Sequence, residues 1–130
     1  MKIFIIDDDE ISIELSKIIL NMSDVEDVDY RGSGREAIKY LDDCLKKDDF
    51  PDLIFLDINL PGMDGFAFIN HYEAHYKNFF PDTGIVLLTN SVTEDDRFRA
   101  ENYDSVIDFL SKPLTSNNLD ELMRTLKTRT

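Results

Sequence analysis

The sequence predicts one α/β domain, a doubly wound (βα)5 unit with a five-stranded parallel sheet and helices on both faces. Three observations predict it. Short apolar runs recur five times, with helical-period segments between them. Several runs are continuously hydrophobic rather than alternating, as in parallel strands covered on both faces. The 130 residues, 42% of them hydrophobic, suit one domain with a real core.

Each element has its own signal. Residues 2–6 (KIFII) form a β-branched and aromatic run that stops at Asp7, Asp8 and Asp9. From Ile11 the period changes: Ile11, Leu15, Ile18, Ile19 and Met22 fall on one face of a helix that Asp9 is placed to cap. Residues 25–30 make a weaker second strand, interrupted by acids. Gly32, Ser33 and Gly34 supply a turn, and Ala37, Ile38, Leu41 and Leu45 mark a second helix. Residues 53–56 (LIFL) are a buried strand ending at Asp57. Segment 59–65 (NLPGMDG) is loop chemistry, and Ile69, Tyr72 and Tyr76 mark a third helix closed before Pro81. Residues 85–88 (IVLL) are the fourth strand, ending at Thr89. Thr93 with Asp96 resembles a capping box that opens a short helix. Residues 106–110 form the fifth strand, followed by Ser111, Lys112 and Pro113. Leu119, Leu122, Met123 and Leu126 give the last helix.

Composition removes several functions. With 27 acidic and 14 basic side chains the net charge is −13, which argues against nucleic acid and anionic membranes as partners. No apolar run approaches the ~18 residues of a membrane span. The first residues run straight into acids, so no secretory signal is expected. The single cysteine, Cys44, cannot form an internal disulfide, and a reducing, cytoplasmic setting is the expectation. Cys44 itself reads as a small helix hydrophobe. Tyr72 and Tyr76 read as packing residues, and the pairs Asp42/Asp43 and Asp48/Asp49 as solvated helix ends. His71 and His75 stand at i, i+4, the spacing of a metal pair. Tyr72 rather than Glu follows His71, so the zinc-protease signature is absent and an exposed helix face is the simpler reading.

The polar residues after the apolar runs form a constellation. In a parallel sheet Asp7, Asp8, Asp57, Thr89 and Lys112 lie along one edge, where ligands bind. Carboxylates crowded there repel one another, and a hard divalent cation removes that penalty. Mg²⁺ takes oxygen ligands and keeps several waters, so few protein ligands suffice. Asp8 is assigned as a direct ligand, Asp7 as a ligand or water-mediated partner, and Asp57 as the third carboxylate, with the Asn59 backbone carbonyl completing the set; Mn²⁺ is the alternative ion. Lys112 and the Thr89 hydroxyl suit a phosphoryl group on Asp57, one by charge and one by hydrogen bond. A carboxylate that forms an aspartyl phosphate is established chemistry.

These residues sit in segments 5–10 (IIDDDE), 56–65 (LDINLPGMDG), 88–91 (LTNS) and 109–113 (FLSKP). In this order, at strand ends, they resemble the receiver domain of two-component response regulators, and the resemblance covers residues 1–130. It implies a flavodoxin-like fold and a phosphoacceptor switch rather than an enzyme. Asp57 would take a phosphoryl group from a phosphohistidine on a histidine kinase or histidine phosphotransfer protein, with Mg²⁺ held by Asp7 and Asp8. Thr89 and Lys112 would contact the phosphoryl group, and the Lys112–Pro113 bond would be cis. Phe109 matches the family's rotating aromatic, often tyrosine. It has no hydroxyl for Thr89, but a phenyl ring can still move between exposed and buried rotamers. Asn59 and Ser91 match positions that tune the lifetime of the phosphorylated form. The output would be read by a downstream protein target on the face of the fourth helix, fifth strand and fifth helix, by a monomer or weak dimer.

Two other functions compete. A phosphohydrolase of the haloacid-dehalogenase type also forms an aspartyl phosphate. It carries an acid two residues after the nucleophile, where this chain has Asn59, and its nucleophile follows the first strand, not the third. A degenerate receiver acting as a constitutive module is opposed by the intact Asp7, Asp8, Asp57, Thr89 and Lys112 set. The last helix is expected to end near Lys127, which leaves no effector segment. The chain is then a module that acts through a protein contact, a shuttle in a phosphorelay, or part of a larger regulator.

Overall fold

The structure, a computed structural model, describes residues 1–90 and 92–128. Ser91 lies outside the described residues. Ten elements alternate: β1 (Ile3–Ile6), α1 (Glu10–Met22), β2 (Val28–Arg31), α2 (Gly34–Lys47), β3 (Leu53–Leu56), α3 (Gly65–His75), β4 (Gly84–Thr89), α4 (Glu94–Ala100), β5 (Val106–Ser111) and α5 (Ser116–Thr128). All neighbouring strands pair parallel, in the order β2-β1-β3-β4-β5. The predicted doubly wound fold is the observed one.

Strand alternation sends successive side chains to opposite faces. Phe4, Ile6, Ile54, Leu56, Ile85 and Leu87 fill one layer. Ile3, Ile5, Leu53, Phe55, Val86 and Leu88 fill the other. Both layers are covered, which is why the strands read as unbroken hydrophobic runs. β2 is one of the two edge strands and is only half-buried. Its Asp29–Arg31 ion pair (2.9 Å) places charge on that open edge.

Two elements differ from the sequence reading. The second strand begins at Val28, not at residue 25, because the α1 exit occupies residues 23–25: Ser23, Asp24 and Val25 all donate back to carbonyls of Leu20 or Asn21. Most of the apolar stripe of α1 is not its packed face, and only Ile19 of that stripe packs against the core. Ile11, Leu15, Ile18 and Met22 are exposed (72, 45, 54 and 71%), while Ser12, Ile13, Ser16 and Leu20 face the sheet. The helix is apolar on two sides, so periodicity alone does not choose between them.

The remaining helices follow their signals. Ser33 caps α2 by accepting from the Glu36 N–H, and Ala37, Leu41 and Cys44 pack inward. Thr93 caps α4 through the Asp96 N–H. Asp64 caps α3, accepting from the Ala67 N–H at 2.8 Å. Tyr72 and Tyr76 are fully buried packing residues, as expected. Asp42 is more than a solvated acid, since it accepts the Tyr76 hydroxyl at 2.6 Å. Tyr76→Phe is therefore expected to cost about 1 kcal/mol, the net worth of one such hydrogen bond, read as a lower urea midpoint at unchanged slope. Among the described residues no helix is long and apolar enough to cross a membrane.

Candidate functional site

The sheet order reverses at β1, which has β2 on one side and β3 on the other. A crevice opens at such a point, beyond the carboxyl ends of the strands. The β1–β3 register pairs Ile6 with Leu56, so the next residues, Asp7 and Asp57, emerge side by side. Backbone bonds hold them there: Asp57 N–H donates to the Ile6 carbonyl at 3.0 Å, and Asp7 N–H to the Arg31 carbonyl at 3.1 Å.

The five sequence-predicted side chains cluster at this edge. Carboxylate oxygens of Asp7, Asp8 and Asp57 lie within 4.8 Å of one another, the one such three-residue group among the described residues. Asp7 and Asp57 are buried and Asp8 is exposed. Lys112 reaches across from the end of β5. Its Nζ is 2.8 Å from Asp7 Oδ2 and 2.8 Å from Asp57 Oδ2. The other oxygen of each carboxylate accepts a backbone N–H at 3.0 Å, Asp7 Oδ1 from Asp9 and Asp57 Oδ1 from Asn59. Both carboxylates are thus fixed in plane before any ligand arrives. Lys112 is placed by its own N–H, which donates to the Thr89 carbonyl at 2.9 Å, and the Lys112–Pro113 peptide is cis.

Electrostatics follow from this packing. Burial disfavours the Lys112 ammonium, but its hydrogen bonds and charge pairing with Asp57 and Asp7 outweigh burial and hold its pKa above the usual lysine range. Three carboxylates and one ammonium leave two negative charges uncompensated. A divalent cation matches that excess, and oxygen donors of which one is open to water match the habits of Mg²⁺. The chemistry of the donor set therefore fits Mg²⁺.

Thr89 ends β4 and is fully buried. The Asn59 side-chain amide comes within 3.5 Å of its Oγ1, the outer limit of a hydrogen bond. Phe109 is turned inward, 7% exposed, with the Arg97 guanidinium 5.1 Å from its ring centroid. Three contributors escaped the sequence reading. Gly65 brings the start of α3 against the Asp57 carbonyl, the Asp9 N–H orients Asp7, and Arg97 covers Phe109. Only Gly65 had a local signal, its place in a Gly-rich loop, and that signal spoke of a turn rather than of a close approach.

The fold is a doubly wound sheet whose strand ends carry an acidic cluster bridged by a lysine, and comparison with known proteins identifies the family. The family model for the response regulator receiver domain matches residues 3–124. A two-component response regulator structure from Cytophaga hutchinsonii is 31% identical, covers 98% of this chain and 96% of its own, and superposes with a TM-score of 0.91. The phosphorylated cyanobacterial phytochrome response regulator RcpA is 30% identical, with 98% and 89% covered and a TM-score of 0.75. Hybrid signal transduction histidine kinase L of Dictyostelium discoideum is 30% identical over 95% of this chain, which spans 7% of that protein's length. The chain belongs to the response regulator receiver domain family. It is a phosphoacceptor switch module of two-component signalling.

Proposed function

We propose that Asp57 is the phosphoacceptor. The observation that carries this is the bridging of Asp7 and Asp57 by one buried ammonium in a site with two negative charges to spare. A carboxylate oxygen of Asp57 attacks the phosphorus of a phosphohistidine. The O–P bond forms, the P–N bond breaks, and the imidazole leaves with the electron pair. Lys112 then pairs with a phosphoryl oxygen instead of with Asp57, and the Thr89 hydroxyl donates to another. Asp7, Asp8, Asp57 and the Asn59 carbonyl would hold Mg²⁺, or Mn²⁺ in its place. Bound there, the ion neutralises charge on the phosphoryl oxygens.

The donor would be a histidine kinase or histidine phosphotransfer protein in the cytoplasm. The exposed face of α1 suits such a helical partner. Ile11 and Leu15 share one surface cavity with Asp9, Asn90, Lys112 and Pro113, so the apolar stripe leads up to the acceptor. The downstream partner would read the α4–β5–α5 face, on a monomer or weak dimer, with residues 1–130 acting as one receiver domain.

The test is acetyl phosphate with Mg²⁺, followed by intact-protein mass. The wild type is expected to gain one phosphoryl group and Asp57→Asn none. Equal gain by the variant would remove Asp57 from the role, and no gain by either would remove the function.

Phe109 and Thr89 are the switch residues of this reading. The Arg97 cation–π contact favours the inward ring by about 0.5–1 kcal/mol. Arg97→Ala should move the inward–outward equilibrium of Phe109 outward by roughly twofold to fivefold. Ring resonances of Phe109 in the unphosphorylated protein report that population. An unchanged spectrum would mean that Arg97 does not hold the ring.

A further inference from the structure

His71 and His75 lie at the far end of α3 from the acidic cluster. Gly65 starts this helix beside Asp57, and His75 ends it. Their ring centroids are 4.1 Å apart with planes 32° from parallel. Both imidazoles therefore project to one side of the helix, as the i, i+4 spacing requires. The His71 ring is also fixed by an edge contact with Tyr76 at 5.7 Å.

We propose that His71 and His75 form a two-imidazole chelate for a late first-row divalent ion, of the Zn²⁺, Cu²⁺ or Ni²⁺ type. Two chemical requirements and two observations carry it. Two nitrogens bound to one tetrahedral ion lie about 3.3 Å apart, and the two rings, whose centroids are 4.1 Å apart, would turn about χ1 and χ2 to aim both lone pairs at one ion. Imidazole suits these ions and not Mg²⁺, so the site would select differently from the carboxylate cluster. His75 is in the last turn of α3, where unpaired carbonyls give the helix its negative end. Asp42, on the neighbouring α2, presents a carboxylate whose Oδ1 is pinned by the Tyr76 hydroxyl.

The nearest basic side chain in sequence, Lys77, is engaged with Glu73 and Asp104 and does not compete. Asp42 completes no three-ligand group of the tightness seen at the acidic cluster. It contributes charge, and water fills the remaining positions.

The chain has only these two histidines, so imidazole signals are unambiguous. The experiment titrates Zn²⁺ into the full chain in saturating Mg²⁺, which occupies the carboxylate cluster. Calorimetry measures affinity, and ¹⁵N-edited imidazole spectra identify the ligands. Both imidazoles are expected to shift together with one bound Zn²⁺. His71→Gln and His75→Gln should each weaken binding at least about tenfold, since a chelate becomes a single ligand. Both variants should retain the wild-type response to acetyl phosphate and the metal-free urea midpoint. Affinity unchanged in both variants, Zn²⁺ displaced by Mg²⁺, or a shift of one imidazole alone would overturn the proposal. Failure of the phosphoacceptor reading would leave it untouched.

Discussion

Lys112→Ala is expected to destabilise the protein by roughly 3 kcal/mol in Mg²⁺-free buffer and to make its stability strongly Mg²⁺-dependent. The Lys112 side chain is 6% exposed, and those of Asp7 and Asp57 are 4% and 8% exposed. Removing the ammonium leaves two buried carboxylates facing each other with no counter-charge. The same removal frees Asp7 Oδ2 and Asp57 Oδ2 for a cation. Mg²⁺ affinity should therefore rise by roughly tenfold, equivalent to about 1.4 kcal/mol of relieved competition. Phosphorylation should move the other way, slowing by roughly 100-fold, because a positioned charge at the developing phosphoryl oxygens is lost.

The pH dependence gives an independent check on the same residue. The folded-state pKa of Lys112 is raised above its ordinary 10.5. Its contribution is then fully present below about 10.5 and is lost as the pH climbs through the higher folded value. Wild type should show this alkaline loss in urea midpoints, and Lys112→Ala should lack it. A variant with wild-type stability and unchanged Mg²⁺ affinity would show that the ammonium is not the counter-charge of the site.

What the sequence made legible, and what it hid, divides by the range of the interaction. β3 is read to the residue because four consecutive apolar positions end at Asp57. Asp7, Asp57, Thr89 and Lys112 are legible because each ends a strand or directly follows one, and parallel strands bring their ends to one edge. The orientation of α1 is not legible. Ile13 and Leu20 pack inward while Ile11, Leu15 and Ile18 stay exposed, and both sets have helical spacing. Only the positions of β1 and β3 beneath the helix decide between them. The Asp42–Tyr76 bond spans 34 residues and joins two helices whose mutual angle no local pattern encodes. Arg97 over Phe109 is hidden for the same reason, and each partner taken alone reads as an ordinary surface arginine or core ring.

Gly65→Ala is expected to be as damaging as the loss of Lys112, by a mechanism that involves no charge. A Cβ at this position would stand 2.7 Å from Ile58 Cα, 2.9 Å from the Asp57 carbonyl oxygen and 3.3 Å from Ile58 N. All three atoms belong to the backbone, so no rotamer change relieves the overlap. The approach is set by a hydrogen bond, Gly65 N–H to the Ile58 carbonyl at 2.7 Å. Either that bond lengthens and α3 moves out, or the Asp57–Ile58 peptide shifts. The first exposes part of the layer that Phe66, Phe68 and Ile69 fill. The second tilts Asp57 and strains the Asn59 N–H bond to its Oδ1. Overpacking of this kind costs about 1–3 kcal/mol, and an unyielding backbone neighbour puts it at the upper end. Gly62, three residues earlier in the same loop, is the control. Its φ of +77° strains any other L-residue, but a Cβ there meets nothing within 4 Å. Gly62→Ala should cost about 1 kcal/mol through backbone strain alone and leave the rate of modification by acetyl phosphate unchanged. Gly65→Ala should lower both the urea midpoint and that rate. Equal effects of the two substitutions would mean that the loop, and not the contact between α3 and the segment that follows β3, sets the position of Asp57.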